Sequence, residues 1–175
     1  MPPLPPGQWT DEVHEFYALL DPAATREHGT HWMALKIMAN HPPLSLAFGA
    51  WNRFVMQELA LDPRLREIAI LRVANRYDSA YELHHHAKIG LAVGLSEEQV
   101  AATAEGPQAS IWSDTERLVV QAVDDMIDRA ETSDATWNGL MQALGPRRLM
   151  ELLYAIGTYA MTAWIFNSMR VPVES

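Results

Sequence analysis

Apolar residues recur along this chain with the period of the α-helix, and helix-capping residues separate the pattern into segments. Thr10 and Asp62 are predicted N-caps of helices over residues 11–20 and 63–76, and Pro63 suits a first helical position. Ser96 and Ser113 are each followed three residues later by Gln or Glu, which is typical of a capping box. No segment alternates apolar and polar residues for long enough to predict a strand. The sequence therefore predicts an all-α chain.

The central segments of that pattern are two consecutive helices joined by a short connection. The first covers residues 63–76, and the second begins at Ser79 and ends before Gly94. Gly145-Pro146 predicts a stop and restart, after which residues 147–168 form a final helix that is apolar nearly all round. Such a helix is expected in the centre of the molecule or at a subunit interface.

Length and composition indicate one globular domain. The chain has 175 residues, of which 49% are hydrophobic and 20% charged. A proline-rich start predicts an arm over residues 1–9, followed by a helical domain over 10–170 and a tail over 171–175. The sequence contains no cysteine, which excludes disulfides, zinc thiolate sites and thiol nucleophiles.

Charge and targeting signals narrow the expected partners and location. The net charge of −9 without a Lys/Arg-rich run argues against nucleic acid and anionic membranes as partners. The first residues do not resemble a signal peptide. The most apolar run, residues 152–166, is shorter than the roughly 20 residues of a membrane span. We therefore expect a cytoplasmic protein with a small-molecule substrate.

The candidate chemistry lies in Glu67, Ser79, Glu82 and His86. Glu67 shares a face of the first helix with apolar residues at i+3, i+4 and i+7, and Arg66 is expected to point away from that face. On the second helix, Ser79, Glu82 and His86 share one face. A buried carboxylate must be hydrogen-bonded or protonated. These four residues therefore predict a buried acid–base site formed by two helices.

Two other interpretations remain open at this point. Ser79 and Glu82 match a capping box, so the cluster can be a structural polar contact. Glu67, Glu82 and His86 can also be ligands of an iron, zinc or manganese ion. His84 and His85 point away from His86 on a helix, so the three consecutive histidines do not chelate one metal.

The spacing of these residues resembles the carboxymuconolactone decarboxylase family, which includes the alkyl hydroperoxidase D branch. That branch carries Glu, then Cys-x-x-Cys, then His, and Glu67, Ser79, Glu82 and His86 stand at the matching intervals. The resemblance extends over about residues 30–170, including the segment 61–73. It implies a single-domain helical bundle of the alkyl hydroperoxidase D-like type, with about seven or eight helices, that assembles into dimers, trimers or hexamers.

The resemblance also implies a function. Ser79 and Glu82 replace both cysteines, so thiol peroxidase activity is not expected. The decarboxylase branch implies an enzyme, a lyase or isomerase, that decarboxylates or isomerises a small organic acid, lactone or ketone without a metal or cofactor. His86 is the expected general acid or base and Glu67 its partner. Glu82 is expected to tune His86, and Ser79 to donate a hydrogen bond to a developing oxyanion.

Three further side chains are candidates for substrate binding, and two alternative functions accompany the leading one. Tyr81, Tyr159 and Trp164 are the aromatic residues expected to contact the substrate. The first alternative is a non-catalytic helical oligomer that binds a small hydrophobic ligand. The second is a metal-dependent enzyme that uses Glu67, Glu82 and His86.

Overall fold

The computed structural model describes residues 1–174, and the regular structure in that range is helical. A short 3-10 helix precedes eight α-helices, and the one β feature among the described residues is an isolated bridge between Thr25 and Gly29. The all-α prediction is confirmed. The helices are α1 Asp11–Leu20, α2 Met33–Met38, α3 Pro42–Gln57, α4 Pro63–Arg76, α5 Ala80–Ala92, α6 Glu97–Glu105, α7 Asp114–Arg129 and α8 Asp134–Met169.

Local signals explain most helix boundaries. α1 and α4 have the predicted bounds because the side chains of Thr10 and Asp62 accept hydrogen bonds from the first-turn backbone. α3 begins at Pro42, because the His41 side chain caps it and prolines fit the first turn. The predicted stop at Gly145 is confirmed, because Gly145 adopts φ 73° and ψ 171°, which are not helical values, so α8 consists of two helical segments that meet there.

The described residues form two compact units. The first contains residues 1–58 together with residues 166–174, and its core lies around Phe16 and Leu35. The predicted arm packs within this unit, since the backbone N–H of Leu4 donates to the carbonyl of Lys36 at 3.0 Å. The predicted boundaries at residues 9 and 170 stay predictions. Ser175, the last residue of the predicted tail, lies outside the described residues.

The second unit contains residues 59–165, and α4 is its central helix. α4 contacts α5, α6 and α7, and every residue from Arg66 to Ala74 is buried. Because α4 is enclosed on several sides, its charged side chains require partners inside the protein. Arg72 therefore pairs with Asp124, with Nε to Oδ1 at 2.8 Å, and also donates to the backbone carbonyl of Thr103.

α8 is the longest apolar helix in the described range. It is long and apolar enough to cross a membrane by length and composition, but 56% of its most apolar window is buried inside the protein. The core helix of a soluble protein has the same property, so this helix is weak evidence for a membrane span.

Candidate active site

A tight connection brings α5 back against α4. After α4 ends, Asp78 adopts φ 49°, a left-handed conformation that Asp tolerates better than most residues. The backbone N–H of Ser79 then donates to the carbonyl of Ala74 at 2.9 Å, which fixes the start of α5. As a result, the middle of α5 lies alongside the middle of α4, and His86 faces Glu67.

Glu67 and His86 form a buried pair. His86 Nδ1 lies 2.7 Å from Glu67 Oε2, and the two side chains are 10% and 0% exposed. The other oxygen, Glu67 Oε1, accepts a hydrogen bond from Arg66 Nε at 3.1 Å. Both oxygens of the carboxylate are therefore bound, and the predicted meeting of Glu67 and His86 is present in the structure.

Arg66 is a residue of the site that the helical pattern does not predict. The expectation that this side chain points away from Glu67 is wrong, because Arg66 is buried and paired with it. The reason is the enclosure of α4, which leaves no solvent-facing side at this level of the helix. A usable signal existed: a carboxylate predicted on a buried face requires a nearby cation, and the adjacent Arg66 is within reach.

The contact with Glu67 assigns different roles to the two imidazole nitrogens of His86. Nδ1 is held by the carboxylate, whereas Nε2 makes no hydrogen bond to any residue in the described range. The ring of Tyr159 lies edge-on to the imidazole, with centroids 4.8 Å apart. A carboxylate on Nδ1 orients the ring and supports positive charge on it, which leaves Nε2 to transfer protons.

Ser79, the N-cap residue of α5, and Glu82 in its first turn are buried, at 0% and 2% exposure, on the same side of α5 as His86. Within residues 1–174, neither the Ser79 hydroxyl nor either carboxylate oxygen of Glu82 has a hydrogen-bond partner. Burial raises the pKa of Glu82 to about 8, and the Ser79 hydroxyl, which lies near the carboxyl group without a hydrogen bond of normal geometry, lowers the pKa in part. The raised pKa favours the neutral carboxylic acid at neutral pH. The capping-box interpretation of these two residues is wrong, since Ser79 makes no capping hydrogen bond.

The three aromatic candidates lie in different surroundings. Tyr159 contacts the His86 ring, as described above. Tyr81 is buried and packs against the ring of His85, with centroids 4.4 Å apart. Trp164 is 55% exposed and packs edge-on against Tyr77 at 5.7 Å. Of the three, Tyr159 has a direct contact with the acid–base pair among the described ring contacts.

The metal-binding interpretation does not fit this arrangement. Glu67, Glu82 and His86 do not converge as a metal-binding group, and no other group of three or more His, Asp or Glu side chains does so within residues 1–174. Both oxygens of Glu67 are already engaged by His86 and Arg66. The geometry is that of a hydrogen-bonded acid–base pair.

Comparison with known proteins shows which class the fold belongs to. The Carboxymuconolactone decarboxylase family matches residues 42–125, a range that contains Glu67, Ser79, Glu82 and His86. No curated protein matches the chain. Several solved structures have the same fold, and three of them have a sequence identity to this chain of 21% or less.

A protein of unknown function from Agrobacterium tumefaciens superposes with a TM-score of 0.72 at 21% identity, covering 78% of this chain and 94% of its own. An alkylhydroperoxidase AhpD core protein, an uncharacterized peroxidase-related protein from Ralstonia eutropha JMP134, gives 0.80 at 13% identity over 96% and 88%. A variant of the debrominase Bmp8 in complex with 2,3,4-tribromopyrrole gives 0.74 at 13% identity over 99% and 91%. These likenesses show a shared fold.

The protein has the all-α fold of alkyl hydroperoxidase D-like proteins. Residues 42–125, somewhat under half of the chain, match the carboxymuconolactone decarboxylase family. The chain contains no cysteine, and Ser79 and Glu82 stand at the positions that resemble the two thiol positions of the peroxidase branch.

Proposed function

We propose that this protein is an enzyme that uses Glu67 and His86 for general acid–base chemistry on a small organic acid, lactone or ketone. Decarboxylation and isomerisation are the proposed reactions. The observation that carries the proposal is the buried contact of 2.7 Å between His86 Nδ1 and Glu67 Oε2. His86 Nε2 takes or delivers the proton, and Glu67 orients the ring and balances its charge.

The energetics of the cluster support catalysis over a purely structural role. A buried ion pair contributes little to stability compared with apolar residues of the same volume. Ser79 and Glu82, whose buried side-chain oxygens have no hydrogen-bond partner, lower stability further, because each such polar group costs on the order of 1–3 kcal/mol. Proteins keep such destabilising groups chiefly at functional sites.

The absence of cysteine excludes thiol chemistry at this site. A serine hydroxyl does not ionise at neutral pH, so Ser79 cannot replace a peroxidatic thiolate. The debrominase of the same fold holds a small ring compound, tribromopyrrole. That complex supports a substrate of similar size for this chain, and the proposed acid–base chemistry requires no thiol.

We propose in addition that the protein is a cytoplasmic homo-oligomer. Large apolar side chains at helical spacing are exposed along one side of α8, namely Met150, Tyr154, Met161, Trp164 and Ile165. An exposed apolar stripe of this length is typical of a protein–protein interface. A dimer, trimer or hexamer covers the stripe with a second copy of the same helix or of a neighbouring one.

Proton exchange tests the proposed chemistry without knowledge of the natural substrate. A panel of small ketones, lactones and keto acids is incubated with the protein in D2O, and loss of the proton next to the carbonyl is followed by NMR. We expect exchange or turnover with part of the panel, and its loss in Glu67→Gln and His86→Ala. His84→Ala is the matched control, since His84 lies on the same helix and contacts Lys88 instead.

Two outcomes contradict the proposal. Exchange that persists in both Glu67→Gln and His86→Ala shows that the pair is not the acid–base centre. Equal loss of helical circular dichroism and of exchange in both variants shows that the pair holds the fold together instead.

A further inference from the structure

Ser79 and Glu82 have the sequence pattern of a capping box, but the hydrogen bonds of a capping box do not form between them. At Ser96 and Ser113 the same pattern forms both hydrogen bonds of a capping box. Each serine side chain accepts from the backbone N–H three residues later, and the side chain of that later residue accepts from the backbone N–H of the serine. At Ser79 the backbone N–H already donates to the carbonyl of Ala74. Glu82 therefore has no backbone donor to bind, and both side chains remain unpartnered.

The Ser79 hydroxyl and the neutral Glu82 carboxylic acid are hydrogen-bond donors on the same side of α5 as His86, the proposed base. Glu82 precedes His86 by four residues and Ser79 precedes it by seven, so the three side chains line one side of the helix. A neutral carboxylic acid and a hydroxyl each carry one O–H that can be donated. A carboxylic acid that an apolar site keeps neutral at pH 7 can donate a hydrogen bond to an oxyanion.

We propose that Ser79 and Glu82 form an oxyanion subsite, in which both O–H groups donate to one carbonyl oxygen of a substrate that reacts through an enolate. This inference rests on the proposed function, because it requires His86 as the base. It narrows the substrate class to ketones, lactones and keto acids whose reacting carbon is next to a carbonyl group.

The chemistry balances without an oxidant or a further reactant. In isomerisation, His86 Nε2 takes the proton of the α-carbon, the C–H electron pair forms the C=C bond of the enolate, and the carbonyl π pair moves to the oxygen. The same proton returns from His86 to another carbon. In decarboxylation, the C–CO2 bond supplies the electron pair, CO2 leaves, and protonated His86 delivers a proton to the carbon. Both reactions place negative charge on the oxygen bound by Ser79 and Glu82.

Binding of 4-nitrophenol tests this subsite directly, because its phenolate oxygen resembles an enolate oxygen and its absorption reports ionisation. We expect the native protein to bind the phenolate with a displaced absorption maximum. Ser79→Ala and Glu82→Leu should each weaken binding about tenfold, the effect of one lost hydrogen bond. Glu82→Gln keeps a donor and should retain most of the affinity. It also retains the side-chain volume if Glu82→Leu does not fold.

The controls separate this inference from the proposed function. His86→Ala should bind the phenolate about as well as the native protein, while losing proton exchange. Unchanged phenolate binding in Ser79→Ala and Glu82→Leu, or no saturable binding to the native protein, overturns the subsite. If phenolate binding depends on Ser79 and Glu82 but His86→Ala still exchanges protons, the proposed function fails, and only the binding of the anionic oxygen by Ser79 and Glu82 stands.

Discussion

Replacement of Glu82 by Gln should stabilise the protein, and the gain should grow as the pH rises from 5 to 8. Burial raises the pKa of Glu82 in the folded protein to about 8, from an ordinary value of 4.5. At pH values between these two pKa values, Glu82 holds a proton in the folded chain but has released it in the unfolded chain. The free energy of unfolding therefore falls as the pH rises, and this loss ends above the folded pKa.

The magnitude follows from the two pKa values. One pH unit within the window corresponds to about 1.4 kcal/mol, so the native protein loses about 5 kcal/mol of stability across the whole window because of Glu82. Glutamine has nearly the same volume and no proton to lose. The stability difference between Glu82→Gln and the native protein should therefore increase by about 3 kcal/mol between pH 5 and pH 7.

Urea unfolding at pH 5, 6, 7 and 8, followed by far-UV circular dichroism, measures this difference. Glu116→Gln is the control, because Glu116 lies three residues after Ser113, as Glu82 lies three residues after Ser79, and the capping-box hydrogen bonds of Ser113 and Glu116 are formed. Burial raises the pKa of Glu116, but hydrogen bonds from Ser113 and Arg64 outweigh it and lower the value. Glu116→Gln should destabilise at all four pH values. Parallel stability curves for the native protein and Glu82→Gln would refute the reasoning.

Four other variants test separate parts of the structure. Glu67→Gln should slow proton exchange about 100-fold or more while leaving the helical signal intact, and exchange at the native rate would contradict this. Asp124→Ala leaves Arg72 buried without its carboxylate partner and should cost about 3–5 kcal/mol in urea unfolding. Asp128→Ala removes an exposed ion-pair partner of Arg76 and should lower the free energy of unfolding by less than about 1 kcal/mol. Equal losses of stability in Asp124→Ala and Asp128→Ala would show that burial of the ion pair does not decide its contribution. Met161→Glu should reduce the oligomer mass measured by light scattering, and a monomeric native protein would count against the proposed interface.

The helices were predictable because their signals are local. Thr10, Ser96 and Ser113 lie within a few residues of the backbone groups that they cap, so the sequence pattern alone indicates the contact. The meeting of Glu67 and His86 was also predictable. Both lie on apolar faces of consecutive helices joined by a short connection, and such helices pack against each other.

The remaining features depend on tertiary structure. The backbone conformation at Asp78 decides whether Ser79 and Glu82 form a capping box. It directs the backbone N–H of Ser79 to the carbonyl of Ala74, so that this N–H cannot donate to Glu82. The pairing of Arg66 depends on how many helices surround α4, and helix periodicity carries no information on that number. For the same reason, the sequence did not predict that Glu82 is buried without a partner.

The protonation of the two ring nitrogens of His86 tests the acid–base pair most directly. Long-range 1H–15N correlation spectra distinguish Nδ1 from Nε2. The structure predicts that Nδ1 carries a proton that it donates to Glu67. Glu67→Gln should change the Nδ1 resonance most strongly. A neutral imidazole protonated on Nε2, or an Nδ1 resonance that is indifferent to Glu67→Gln, would contradict the account.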